Sequence, residues 1–236
     1  MSAAATRVEV HYPESDGMPM AETDLHRRWM VWLIDALMSR YRDQRVYVSG
    51  DLFVYFVEGD TSQSVAPDAF VVLDCEPGDR RVFKTWEEQR VPNVVWEVTS
   101  KHTERVDTYK KRLQYEMIGV PEMFWYDPTS DYLPTPLMGF RLSGEDELRR
   151  HYVRMEPDAQ GRLQCQELGL YLQLNRRNEL TMTDAATGEP VLAAYEAEGL
   201  RAEAESRRAE AETRRADAAE AELARLRAQL RQRSGD

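Results

Sequence analysis

Two carboxylates and a lysine stand where they could serve phosphodiester hydrolysis. Asp68 follows Pro67 at the head of the run AFVVLD, Glu97 interrupts the run NVVWEVTS, and Lys111 lies in DTYKKRLQY. A lone carboxylate inside a strand of Val and Trp costs on the order of several kcal/mol unless it is paired, hydrogen-bonded or bound to a metal, so Glu97 needs a partner. An aspartate and a glutamate brought together from neighbouring strands make an oxygen-rich site for a hard divalent cation, Mg2+ or Mn2+. Such a cation polarises a phosphoryl oxygen and makes water more acidic, while a lysine orients the nucleophile or stabilises developing negative charge. Each residue also has a structural alternative. Asp68 could be a turn acid, Glu97 could pair with an arginine or with Lys111, and Lys111 could be an ordinary solvated lysine.

These residues need elements to position them. Apolar residues Leu25, Trp29, Trp32, Leu33, Ala36 and Leu37 recur at helical spacing behind Thr23, a good N-cap, and predict a first helix. RVYVSGDLFVYFVEG is rich in β-branched and aromatic residues and broken at Ser49 to Asp51, which predicts a bent strand or a hairpin. APDAFVVLD is a second strand signal, with Pro67 where a missing N–H is tolerated. RRVFKTWEEQ reads as a link, and VPNVVWEVTS as the third strand. Thr103 to Ile118 reads as a helix stopped by Gly119 and Pro121, and EMFWYDP as a further short strand. The order helix, strand, strand, strand, helix, strand implies a mixed α/β domain.

Residues 1–20 read as an irregular lead-in and 21–194 as one domain, whose part from 131 onward is a β-rich elaboration carrying GFRL, RRHYVRM, LGLYLQL and ELTMTD. The remainder, 195–236, is a heptad-repeat tail. Ala202, Ala209, Ala216, Leu223 and Leu230 fall on one seam of a long helix that could form a coiled coil and a homo-oligomer. Alanine buries little surface and Glu205 and Glu212 occupy companion positions, so a solvated single helix is the alternative.

Composition excludes several classes. The 236 residues carry a net charge of −11, against a surface coated for nucleic acid, yet KHTERVDTYKKR from Lys101 to Arg112 holds five Lys or Arg against two acids. Two cysteines, Cys75 and Cys165, lack metal-ligand spacing and suggest reduced thiols and a cytoplasmic location. No apolar run approaches the roughly 20 residues of a membrane helix. A GxxxxGK[ST] phosphate loop is missing, and no Ser-His-Asp or Cys-His grouping stands out.

Taken in order, Pro67-Asp68, Glu97-Val98-Thr99-Ser100, Asp107, Lys111 and Tyr115, Gly119-Val120-Pro121-Glu122 and Trp125-Tyr126-Asp127-Pro128 resemble the Uma-type family of restriction endonucleases. That family is a branch of the PD-(D/E)xK nuclease superfamily. The resemblance implies a restriction-endonuclease-like αβββαβ core, with Asp68, Glu97 and the backbone carbonyl of Val98 as ligands of Mg2+ or Mn2+ and DNA as the substrate. In the superfamily an acid from the first helix often completes the site; Glu22 is the candidate, ranked above Asp51 in the following strand region. His26, one turn beyond Glu22, could contact a phosphate or a metal, but a lone helix histidine is usually packed or solvated.

One departure from the superfamily pattern matters. The lysine expected two residues after the glutamate is Thr99 here, and the resemblance implies that its role has moved to the following helix. Lys111 is preferred to Lys110 because Asp107, Lys111 and Tyr115 share one helix face at i, i+4 and i+8. Asp107 and Tyr115 are expected to position that helix, and Lys101, Lys110 and Arg112 to meet phosphate. The competing expectation is a nuclease-like fold that has become a non-catalytic interaction protein, assembled or tethered through its tail.

Overall fold

Thr23 starts the first helix as its side chain predicts. Its Oγ1 accepts the amide N–H of His26 at 3.2 Å, opening α1 (Asp24–Arg40), whose buried face carries His26, Leu33, Ala36 and Leu37. Asp24 in the first turn and Arg40 in the last suit the helix dipole. The structure, a computed structural model, describes residues 10–15, 23–99, 105–144 and 149–233. The chain falls into two compact units, Met1–Ala193 and Ala194–Asp236.

After α1 the first unit runs through β1 (Val46–Ser49), β2 (Val54–Tyr55), β3 (Ser64–Val65), β4 (Ala69–Leu73), β5 (Phe83–Lys84), a single-turn α2 (Thr85–Glu88) and β6 (Val94–Val98). It continues through α3 (Arg105–Ile118), β7 (Glu122–Tyr126), β8 (Leu137–Ser143), β9 (His151–Arg154), β10 (Leu163–Cys165), β11 (Leu170–Leu174), β12 (Leu180–Asp184) and β13 (Pro190–Val191). The main sheet has the order β1-β4-β6-β7-β8-β9. Among the described strands of this sheet only β6 and β7 pair in parallel, because α3 carries the chain back between them; their neighbours pair antiparallel. Elements α1, β1, β4, β6, α3 and β7 therefore supply the expected αβββαβ core.

The sheet is buried on both faces. Val46, Val48, Ala69, Val71, Val94, Trp96 and Val98 pack on Leu33, Ala36 and Leu37 of α1 and on apolar residues of the β10–β13 sheet. Phe70, Val72, Val95, Met123 and Trp125 face the other way, toward Tyr115 and Ile118 of α3. Alternation along each strand thus decides which helix a residue meets. Gly119, at φ +85, ends α3 where a left-handed residue is needed.

Two expectations change, and a third gains detail. The run from Arg45 to Gly59 is neither one bent strand nor a hairpin: β1 joins the main sheet, whereas β2 pairs with β3 and β5 in a separate three-stranded sheet. The split follows from Gly50, where an added Cβ would fall 2.1 Å from the Asp68 carbonyl oxygen and 2.7 Å from Ile34 Cδ1. The link RRVFKTWEEQ contains β5 and α2. The β-rich elaboration is partly an extension of the main sheet, through β8 and β9, and partly the four-stranded meander β10-β11-β12-β13.

Gly50 yields a prediction. Its neighbour is backbone, which cannot rotate aside, so Gly50→Ala is expected to cost about 3 kcal/mol, the upper part of the usual overpacking range, and to lower Tm by about 6–12 °C. A thermal melt matching the wild type would show that this chain crossing relaxes easily.

The second unit is α4 (Ala194–Arg233), exposed along nearly all of its described surface and carrying the ion pairs Arg207–Glu203 and Arg214–Glu210 at i, i+4 spacing. Among the described residues, no helix is long and apolar enough to cross a membrane.

Candidate active site

The register of β4 on β6 pairs Ala69 with Trp96, Phe70 with Val95 and Val71 with Val94. One step further, that register sets Asp68 across from Glu97. By the alternation of β6, Glu97 falls on the face covered by α3, which resolves the oddity of an acid in an apolar strand: it is turned toward a helix that carries its partners.

Those partners are Lys111 and Tyr115, one turn apart on α3. Lys111 Nζ donates to Glu97 Oε2 at 2.7 Å and to the Ala66 carbonyl at 3.0 Å. The Tyr115 hydroxyl donates to Glu97 Oε1 in a short hydrogen bond. Gln114 Nε2 adds a bond to the Ser64 carbonyl at 3.0 Å, so α3 is stitched both to β6 and to the chain that leads into Asp68. Asp68 has two close neighbours. Oδ2 accepts the Val98 amide N–H at 2.6 Å, and Oδ1 lies 3.2 Å from His26 Nε2 at the start of α1.

Burial sets the electrostatics. The Glu97 carboxyl is pushed up to about 7, most by burial, against which the Lys111 ammonium pulls it down and the Asp68 charge raises it again. Tyr115 is held well above the ordinary phenol range by burial and then by Glu97, so it remains a protonated donor. Thr99, in the place of the expected lysine, is buried, and both its amide N–H and its hydroxyl donate to the Tyr126 carbonyl, at 2.8 and 3.3 Å. It anchors the end of β6 to β7, and the ammonium near Glu97 comes from α3.

The remaining candidates separate. Val98 meets Asp68 through its amide. Lys110 is exposed on α3. Arg112 turns to structural contacts: Nη2 donates to the Tyr152 carbonyl at 2.9 Å, Nε to Glu116 at 3.4 Å, and the guanidinium lies 4.9 Å from the Phe140 ring centre. Asp51 has an exposed side chain, and its amide N–H donates to the Pro67 carbonyl at 2.8 Å, one residue before Asp68. Glu22 and Lys101 lie outside the described residues, as does the side chain of Asp107. His26, seven residues before Leu33, lies on the buried stripe of α1.

Among the described residues no group of three or more His, Cys, Asp or Glu side chains is placed to hold a metal ion. Asp68 and Glu97 alone still suit Mg2+, which keeps several waters and is commonly bound by one or two carboxylates together with substrate phosphates. The Asp68 charge contributes to the rise in Glu97 proton affinity, behind burial.

The model of the family Uma2, described as "Putative restriction endonuclease", matches residues 4–178. A crystal structure from Anabaena variabilis ATCC 29413, described as a putative nuclease belonging to DUF820, is 19% identical with a TM-score of 0.42; the match covers 60% of this chain and 72% of that one. No curated protein matches the chain.

Proposed function

Because the chain belongs to the Uma2 family, whose model, described as "Putative restriction endonuclease", spans most of its length, we propose that it is a divalent-metal-dependent nuclease hydrolysing phosphodiester bonds in DNA. The observation that carries this reading is the reach of Lys111 from α3 back to Glu97, opposite Asp68, which supplies the ammonium that Thr99 cannot. Asp68 and Glu97 are the residues that would hold Mg2+ or Mn2+, which when bound supplies Lewis-acid polarisation of a phosphoryl oxygen and a more acidic water.

The chain's own groups do the rest. Tyr115 fixes one oxygen of Glu97 and the Val98 amide fixes one oxygen of Asp68, so the two carboxylates face the substrate already oriented. Lys111, held between Glu97 and the Ala66 carbonyl, orients the nucleophile or stabilises the negative charge that grows on the phosphoryl oxygens. Lys110, exposed on the same helix, adds local attraction for phosphate on an otherwise acidic molecule.

The test is cleavage of supercoiled plasmid by the purified protein with Mg2+ or Mn2+. Nicking or linearisation that stops with EDTA and returns when the metal is restored is expected. A folded protein that leaves DNA intact in either metal, or cuts it in EDTA, would overturn the reading.

A further inference from the structure

The close approach of His26 to Asp68 joins α1 to the candidate site. His26 is 2% exposed, and both of its ring nitrogens are shut away from solvent. Its place is set locally: the Thr23 cap holds the His26 amide at 3.2 Å, and the Thr23 carbonyl accepts the Arg27 amide N–H at 3.0 Å, which fixes the first turn. From there Nε2 lies 3.2 Å from Asp68 Oδ1, while the opposite oxygen takes the Val98 amide N–H at 2.6 Å.

We propose that His26 is a positioning residue, which clamps the Asp68 carboxylate against the Val98 amide and so fixes the direction in which that carboxylate is presented. An aspartate held through one oxygen pivots about that bond, whereas a buried ring nitrogen 3.2 Å from the other oxygen limits the pivot. The clamp draws on α1, on the residue just ahead of β4 and on β6, so the orientation of Asp68 is coupled to the docking of α1. Partners of this kind, lying behind a metal-binding carboxylate, commonly change metal affinity or activity by about 10–100-fold when removed. The inference rests on the reading of Asp68 as a metal-binding carboxylate, but the clamp itself can be observed without metal.

The test compares full-length wild type, His26→Phe and His26→Gln. Phe keeps the ring volume and discards the polar atoms; Gln restores a polar group near the position of Nε2. The first measurement is the backbone amide signal of Val98 by 15N-1H NMR in metal-free protein, with its rate of hydrogen exchange. A short bond to a fixed carboxylate gives a downfield, slowly exchanging amide. In His26→Phe that signal is expected to move upfield and exchange faster, and Mn2+ affinity by calorimetry to fall by about 10–100-fold, with His26→Gln recovering most of both.

Three results separate the possibilities. An unchanged Val98 amide with unchanged Mn2+ affinity reduces His26 to packing and overturns the proposal. An unchanged amide with lost affinity shows that His26 acts on the ion and not through Asp68, which also overturns it. A shifted amide in a protein whose wild type binds no Mn2+ leaves the clamp standing and removes the metal-dependent reading instead.

Discussion

Glu97→Gln is expected to give a folded protein that has lost Mn2+ binding and cleaves DNA about 10²- to 10⁴-fold more slowly than the wild type, the several kcal/mol attributed to a catalytic metal. The substitution conserves volume in a fully buried strand, so β6 should keep its packing. A glutamine oxygen can still accept from Tyr115 or Lys111, which preserves part of the local hydrogen bonding. What disappears is one negative charge of two, leaving Asp68 alone beside an ammonium. Calorimetric titration with Mn2+ and single-turnover cleavage measure the two losses separately. Cleavage at the wild-type rate would reduce Glu97 and Lys111 to a structural ion pair.

The same variant tests the electrostatics without metal. The folded-state proton affinity of Glu97, near pH 7, exceeds its ordinary value of 4.5. Between those values the folded protein holds a proton that the unfolded chain has released. The resulting contribution to stability is fully present below about pH 4.5 and is lost as pH rises through about 7. The amide that Glu97→Gln introduces cannot ionise. Thermal melts of the metal-free proteins should therefore differ little at pH 5, whereas at pH 8 the wild type should fall relative to Glu97→Gln. Adding Mn2+ at pH 8 should stabilise the wild type by mass action and leave the variant unmoved.

Much of this architecture was legible because it is written locally. The α1 cap and stripe need only Thr23 and the spacing from His26 to Leu37, and the stop of α3 needs only Gly119 and Pro121. The meeting of Glu97 with Lys111 was also accessible: a helix of i, i+4, i+8 polar residues directly after the strand gives the odd acid somewhere to point. What escaped depends on pairings between distant segments. Gly50 is constrained by the backbone of Asp68, and β2 finds its parallel partner in β5, so no alternation within RVYVSGDLFVYFVEG could reveal the split. β10 and β13 are too short to show a period. Arg112 resembled a phosphate contact because its sequence neighbours are basic, whereas Phe140 and Tyr152, from strands whose place the sequence does not disclose, draw it into packing.

Lys111→Met should separate the two halves of the proposed chemistry. Methionine is unbranched and flexible enough to fill the lysine stem's space, so the main change is loss of the ammonium from Glu97 and from the Ala66 carbonyl. If Lys111 stabilises charge in the transition state, kcat falls by about 10²–10³-fold, the usual effect of removing one such donor. Metal binding responds in the opposite sense. The ammonium lowers the proton affinity of Glu97, so its removal shifts the carboxyl further up and moves the onset of Mn2+ binding to higher pH. Once Glu97 is ionised, however, the ion no longer competes with a neighbouring positive charge and should bind at least as tightly as in the wild type. A kcat deficit with undiminished Mn2+ affinity at alkaline pH would place Lys111 in the reaction itself. Parallel loss of both would mean that it serves to hold Glu97 in place, and a lower Tm with normal cleavage would return it to the fold.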